Sequence, residues 1–130
     1  MLRNLYAWHA DGSFVHRGNV GINLKQDAFR DAALHPVIIK HPNTGDQCVY
    51  VNCDFTVNFK NWTVEENTPL LSCIYAFITK PIFTTTVVWE TGIVAIWDNR
   101  LVQHYATADY SGHTRLKHRI AVGGVPLEPI

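Results

Sequence analysis

Short runs rich in β-branched residues, each closed by turn-forming residues, constrain this 130-residue chain more than any other feature. Val37-Ile38-Ile39, inside the run Pro36 to His41, leads into Asn43-Thr44-Gly45-Asp46 and then Cys48-Val49-Tyr50-Val51. That is a hairpin pattern, with turn chemistry between two extended arms. Phe83 to Glu90 is a second such run and stops at Thr91-Gly92. Ile93 to Trp97 follows, and Leu101 to Tyr105 comes after the loop Asp98-Asn99-Arg100. A last run, Arg115 to Val122, ends at Gly123-Gly124. Many short strands separated by turns predict a mainly β fold, a sandwich or jelly-roll barrel.

One segment breaks the pattern. From Pro69 to Thr79, Leu70, Cys73, Ile74 and Phe77 fall at i, i+3, i+4 and i+7, which is one apolar helical face. Thr68 then caps the helix, with Pro69 at the first helical position, where a missing N–H is no loss. Thr63-Val64-Glu65-Glu66 offers an earlier capping box. A start there would set Pro69 deep inside the helix, so the later start is preferred. A shorter helix is expected over Lys25 to Ala33, and nothing resembling a repeat or linker divides residues 1–130 into more than one domain.

Composition narrows the classes of function. Apolar residues make up 47% and charged residues 17%, which suits a globular domain. Eleven basic residues balance eleven acidic ones, so no global field attracts nucleic acid or an anionic membrane. No apolar run is long enough to span a bilayer. Met1 to Tyr6 lacks the apolar core of a secretory signal. Cys48, Cys53 and Cys73 have no Cys-x-x-Cys spacing, which predicts reduced thiols and a cytoplasmic protein.

The chemistry-bearing residues begin at His9-Ala10-Asp11. A separation of two puts both side chains on one side of an extended strand. Two imidazoles and a carboxylate on one face of an octahedral ion are the ligands of non-haem Fe(II) oxygenases, and they leave coordination positions open. His104, at the end of a short predicted strand, is the natural third ligand. A lone His-x-Asp pair on its own more often has a structural or surface role than a ligand role. Arg115, Lys117 and Arg119 alternate and share a face opposite Leu116, His118 and Ile120. That face is either solvated or turned into a barrel mouth, where guanidinium groups take a carboxylate or sulfonate bidentately. Spacing alone leaves both open.

The run Gly92-x-Val94-Ala95-Ile96-Trp97-Asp98-Asn99-Arg100-x-x-Gln103-His104-Tyr105-Ala106, then Asp109-Tyr110, then Arg115-x-x-His118-Arg119, closely resembles the taurine dioxygenase family of Fe(II)- and 2-oxoglutarate-dependent oxygenases. Trp8-His9-Ala10-Asp11-Gly12-Ser13-Phe14 resembles that family's His-x-Asp segment. Leu34-His35-Pro36-Val37, His41-Pro42-x-Thr44-Gly45 and Tyr50-Val51-Asn52-x-x-Phe55 resemble its middle region, and the stretch from Leu70 to Pro81 its following helix. The similarity is nearly continuous from Leu34 to about Pro126.

The resemblance implies a double-stranded β-helix, a cupin-like jelly roll with one or two helices. It implies His9, Asp11 and His104 as iron ligands, Arg115 on the distal carboxylate of 2-oxoglutarate, and Arg119 on the substrate's anionic group. Phe55 would wall the pocket and the backbone at Gly12 would donate to the same anion. Trp97 is expected in the core, with Asn99 and Arg100 bracing the loop before His104. The implied reaction uses dioxygen and 2-oxoglutarate to hydroxylate a small anionic substrate such as an alkylsulfonate, releasing succinate and carbon dioxide. The family's region before the His-x-Asp pair has no counterpart here, and only residues 15 to 33 stand where the family carries a longer segment. The chain therefore reads as a shortened member. The alternative is an impaired or inactive derivative that binds a metal or a partner. Exposed sheet edges would make a homo-oligomer one way to cover its surface.

Overall fold

The structure, a computed structural model, describes residues 1–10, 32–107, 110–114 and 116–130. Six strands form two small antiparallel sheets: β1 (Tyr6–His9), β2 (Ala33–Pro36), β3 (Ile38–Lys40), β4 (Gln47–Val49), β5 (Thr56–Phe59) and β6 (Glu128–Pro129). One sheet has the order β2-β1-β5 and the other β4-β3-β6. With one α-helix, α1 (Val64–Ile78), the described residues make a mainly β domain.

Val37 joins the two sheets. It is fully buried between β2 and β3, donates its N–H to the Leu5 carbonyl (2.9 Å) and accepts from the Tyr50 N–H (2.7 Å). Both backbone groups are thus satisfied where the chain leaves one ladder for the other, as burial requires. Around it lie Ala7, Val51, Phe59, Leu71 and Ile74, with Trp62 edge-on to Phe59. A smaller cluster holds Ala10 and Val57 with Trp8 and Ala32 packed on it.

The hairpin expected from Pro36 to Val51 is present, with Ile38 opposite Val49, Ile39 opposite Cys48 and Lys40 opposite Gln47. Its turn closes through His41 N–H to the Asp46 carbonyl and Gly45 N–H to the His41 carbonyl, both 2.8 Å. Gly45 has φ +77°, a conformation that side chains with a Cβ rarely adopt.

The helix starts earlier than expected. Thr63 is the N-cap and makes a full capping box: its hydroxyl accepts from Glu66 N–H (3.3 Å) and its N–H donates to Glu66 Oε2 (2.9 Å). Pro69 therefore sits inside α1, where it leaves one helical hydrogen bond unmade. The buried stripe is also rotated from the expected one: Asn67, Leu71 and Ile74 are buried, whereas Cys73 and Phe77 are exposed. Asn67 decides this. Its amide accepts from Phe59 N–H (2.9 Å) and donates to the Val57 carbonyl (3.5 Å), locking the first turn of α1 onto β5.

The runs expected as strands after the helix take another form. Phe83 ends a 3-10 turn, Pro81–Phe83, and no ladder is recorded for the described residues from Thr84 to Leu127. β-branched composition favours an extended backbone, but a strand also needs a neighbour to pair with. The helix expected over 25–33 lies outside the described residues except for Ala32 and Ala33, and Ala33 opens β2.

Candidate functional site

His9 ends β1, the central strand of its sheet, with neighbours on both sides. Toward β2, Ala7 faces His35 and His9 faces Ala33, so His9 and His35 lie diagonally on one face. Their rings meet edge-on at 5.3 Å, and Tyr50 lies 5.5 Å from His9 and 5.6 Å from His35. Toward β5 the register slips: Trp8 faces Asn58, but His9 faces Thr56, leaving Val57 as the extra residue. A bulge of this kind re-aims side chains. Here it sets the Thr56 hydroxyl 3.4 Å from His9 Nδ1.

Burial, and secondarily the neighbouring His35, push the His9 imidazole down to a pKa of about 4, so it is neutral at ordinary pH. Its Nε2 is buried and has no hydrogen-bond partner among the described residues. A buried polar atom without a partner calls for an explanation. A neutral imidazole with one nitrogen held and the other free is what a divalent metal asks of a histidine ligand. The state of His9 is thus compatible with metal ligation.

Asn52 links this face to the distant segment bearing His104. Its backbone N–H donates to Thr56 Oγ1 (2.8 Å), and its carbonyl accepts from Thr56 N–H (2.8 Å) and the Tyr75 hydroxyl (3.2 Å). Burial raises Tyr75 to a pKa of about 12, opposed by a hydrogen bond with Thr56. The Asn52 amide donates to Gln103 Oε1 (3.2 Å), and Gln103 in turn donates to the Val51 carbonyl (2.6 Å). The residue preceding His104 is therefore two links from the hydroxyl beside His9.

A second set of contacts fastens the loop before Gln103. Arg100 donates through its Nε (2.8 Å) and its backbone N–H (2.9 Å) to Asp98 Oδ1. His41 Nε2 lies 3.0 Å from Asp98 Oδ2, and its Nδ1 accepts from Thr44 N–H (3.2 Å), which puts the proton on Nε2. The Arg100 side chain, then its backbone N–H, then His41, hold the Asp98 carboxyl far below the usual carboxylate range. The Cys48 thiol donates to the Arg100 carbonyl (2.9 Å).

Of the residues singled out by sequence, Phe55 is tied beside the end of β1 by a backbone bond, Ala10 N–H to the Phe55 carbonyl (2.9 Å), while its side chain is exposed. Gln103 joins them through Asn52. The His104 ring itself lies 5.3 Å from Trp97, and Trp97 is half-buried beside it instead of in the core. Arg100 braces the loop as expected, and Asn99 accepts from the Trp97 indole (2.8 Å). Arg119 is exposed, while Asp11, Gly12 and Arg115 lie outside the described residues. Among the described residues no three His, Cys, Asp or Glu side chains gather at one point. Sequence reasoning gave no role to Thr56, His35 or Tyr50. Only the register slip, which leaves no mark in composition, brings Thr56 opposite His9.

The fold and this site define a mainly β domain with a buried, neutral imidazole at the end of the central strand of one sheet. Residues 1–121 match the family described as taurine catabolism dioxygenase TauD, TfdA family, and the chain belongs to that family. It is 34% identical over 94 residues to an alpha-ketoglutarate-dependent sulfate ester dioxygenase of Pseudomonas putida, covering 72% of this chain and 31% of that protein. It is 36% identical over 83 residues to the alpha-ketoglutarate-dependent dioxygenase cnsM of Penicillium expansum, covering 63% and 23%. An alkylsulfatase of Acinetobacter baylyi is 34% identical over 90 residues, covering 69% and 28%. The aligned part of this chain thus spans less than a third of each of these relatives. Among the described residues no helix is long and apolar enough to cross a membrane.

Proposed function

We propose that this chain supplies the metal- and cosubstrate-binding part of an Fe(II)- and 2-oxoglutarate-dependent dioxygenase. Its substrate would be a small organic anion, an alkylsulfonate or a sulfate ester, and its products would include succinate and carbon dioxide. The observation that carries this reading is the buried Nε2 of a neutral His9, without a partner among the described residues. Family membership and the sulfate ester dioxygenase and alkylsulfatase relatives support the choice of reaction and of anion.

In this reading His9, Asp11 and His104 hold the iron. Arg115 takes the distal carboxylate of 2-oxoglutarate and Arg119 takes the substrate's anionic group, each as a planar, permanently charged donor. Phe55 walls the substrate side, and the backbone at Gly12 donates to the same anion. Bound iron supplies the redox chemistry that couples decarboxylation of 2-oxoglutarate to oxidation of a substrate C–H bond. His9 has no proton to lose on binding at neutral pH, and the Asn52–Gln103 and Asp98–Arg100 contacts hold the arm that carries His104. The complete domain is a double-stranded β-helix in which the runs after α1 serve as strands. Cys48, Cys53 and Cys73 form no disulfide, which accords with a cytoplasmic setting.

A second reading is favoured by the exposed runs after α1, for which no ladder is recorded among the described residues. In it the chain is a catalytically impaired family derivative that binds a metal or a partner. Anaerobic titration of the metal-free protein with Fe(II) and 2-oxoglutarate separates the two. A visible charge-transfer band in wild type that is lost in His104→Ala supports the oxygenase. A folded protein with no band rejects it.

A further inference from the structure

We propose that His9 and His35 form a two-imidazole site for a four-coordinate divalent cation of the zinc(II) type, distinct from the iron site proposed above in every ligand but His9. The site goes beyond that reading and needs neither Asp11 nor His104. It follows from the placement of two rings on one face of a sheet.

β1 and β2 are antiparallel, with Ala7 opposite His35 and His9 opposite Ala33. Diagonal residues of this kind share a face and lie within reach of each other's long or aromatic side chains. The ring centroids are 5.3 Å apart and the planes cross at 68°, so the rings are not stacked. A histidine nitrogen bonded to zinc at about 2.0–2.1 Å puts its ring centroid roughly 3.2 Å from the ion. Two such rings at a tetrahedral angle stand roughly 5.2 Å apart, and at the right angle of an octahedron roughly 4.5 Å. The observed separation matches the tetrahedral pair.

The surroundings favour the same use. His9 Nδ1 lies 3.4 Å from Thr56 Oγ1, whereas the buried Nε2 has no hydrogen-bond partner among the described residues. No hydrogen bond of the His35 ring is recorded among those residues either, and His35 is only half-buried, so solvent reaches it. Tyr50 stands 5.5 Å from the His9 ring and 5.6 Å from the His35 ring, closing a third side, and its N–H is fixed to the Val37 carbonyl (2.7 Å). Strand pairing thus holds both imidazoles in place before any ion arrives, the preorganisation that a ligand pair needs. Imidazole suits zinc(II), and water can fill the positions that the protein leaves open. His9 cannot serve two ions at once, so an ion on this pair excludes iron; that consequence alone rests on the proposed iron site.

Cobalt(II), whose visible bands are intense in four-coordinate sites and weak in six-coordinate ones, tests this. Wild type is expected to give intense bands that added zinc(II) bleaches. His35→Gln is expected to lose at least about 100-fold in cobalt affinity, since losing even an orienting partner of a ligand costs about 10- to 100-fold. His104→Ala is expected to keep both the bands and the affinity. Weak bands, bands that survive His35→Gln, bands lost in His104→Ala, or no binding at all overturns the proposal. Proton NMR of wild type decides the matter should a variant not fold. Zinc(II) is expected to shift the ring signals of His9 and His35 together, and an unmoved His35 signal overturns the site. Failure of the iron reading shows separately, because the band with Fe(II) and 2-oxoglutarate depends on His104 and the cobalt bands depend on His35.

Discussion

At the scale of single residues, His9 carries most of what is specific to this chain. The His-x-Asp spacing marked it as a ligand candidate, and that much was legible. Its electrostatic state was not, because it depends on His35 arriving from β2 and on burial that no local pattern reveals. The state has a measurable consequence. The native imidazole titrates near 4, against 6.5 in the unfolded chain. Between those values the unfolded chain binds a proton that the native one does not, so stability is complete above 6.5 and falls as pH drops toward 4. The loss attributable to His9 is at most about 3 kcal/mol. Urea denaturation of metal-free protein across this window checks it: wild type should lose stability steadily, and His9→Gln should lose distinctly less. The remaining slope in the variant includes His35, whose pKa is also lowered by burial. Parallel curves for the two proteins would remove His9 from the account.

At the scale of elements, the helix shows where pattern reading stops. Both candidate starts were visible in the sequence, and the choice turned on the proline. The structure resolves it the other way because Asn67, a polar residue on a buried stripe, is worth more docked on β5 than Pro69 costs inside the helix. An apolar periodicity search passes over an asparagine in such a position. Two substitutions discriminate. Thr63→Ala removes the cap and should destabilise by about 1 kcal/mol. Pro69→Ala restores a helical N–H and should stabilise by about 1–3 kcal/mol. Had the helix begun at Pro69, the first change would be neutral and the second would bring no gain. Thermal denaturation of both variants is sufficient. Asn67→Ala should cost about 1–3 kcal/mol, because the Phe59 N–H and the Val57 carbonyl at the bulge lose their partner.

At the scale of the whole molecule, the hairpin and the runs after α1 had the same signature in sequence but different fates. Val37 to Val51 folds back on itself through a tight turn, so its partner is supplied locally. The runs Thr84 to Glu90 and Ile93 to Trp97 are also joined by a turn, Ile93 N–H to the Glu90 carbonyl (3.2 Å) with Gly92 at φ +87°, yet no ladder is recorded for them. The described residues after α1 carry apolar side chains into solvent: Ile96 and Ile120 are each 93% exposed and Val122 is 92% exposed. An exposed apolar run outside any ladder is a template for adding strands. Amide hydrogen exchange tests this region directly. In dilute protein the amides of Val57 and Phe59 on β5 and of Leu71 and Ile74 on α1 should be protected, while those of Val87, Val88, Val94 and Ile96 should exchange freely. At higher protein concentration the second group should gain protection if another copy of the chain supplies the missing ladder, because association stabilises in proportion to the logarithm of concentration. Protection independent of concentration would mean that these runs pair within one chain. The two sheets described here would then be only part of its ladder network.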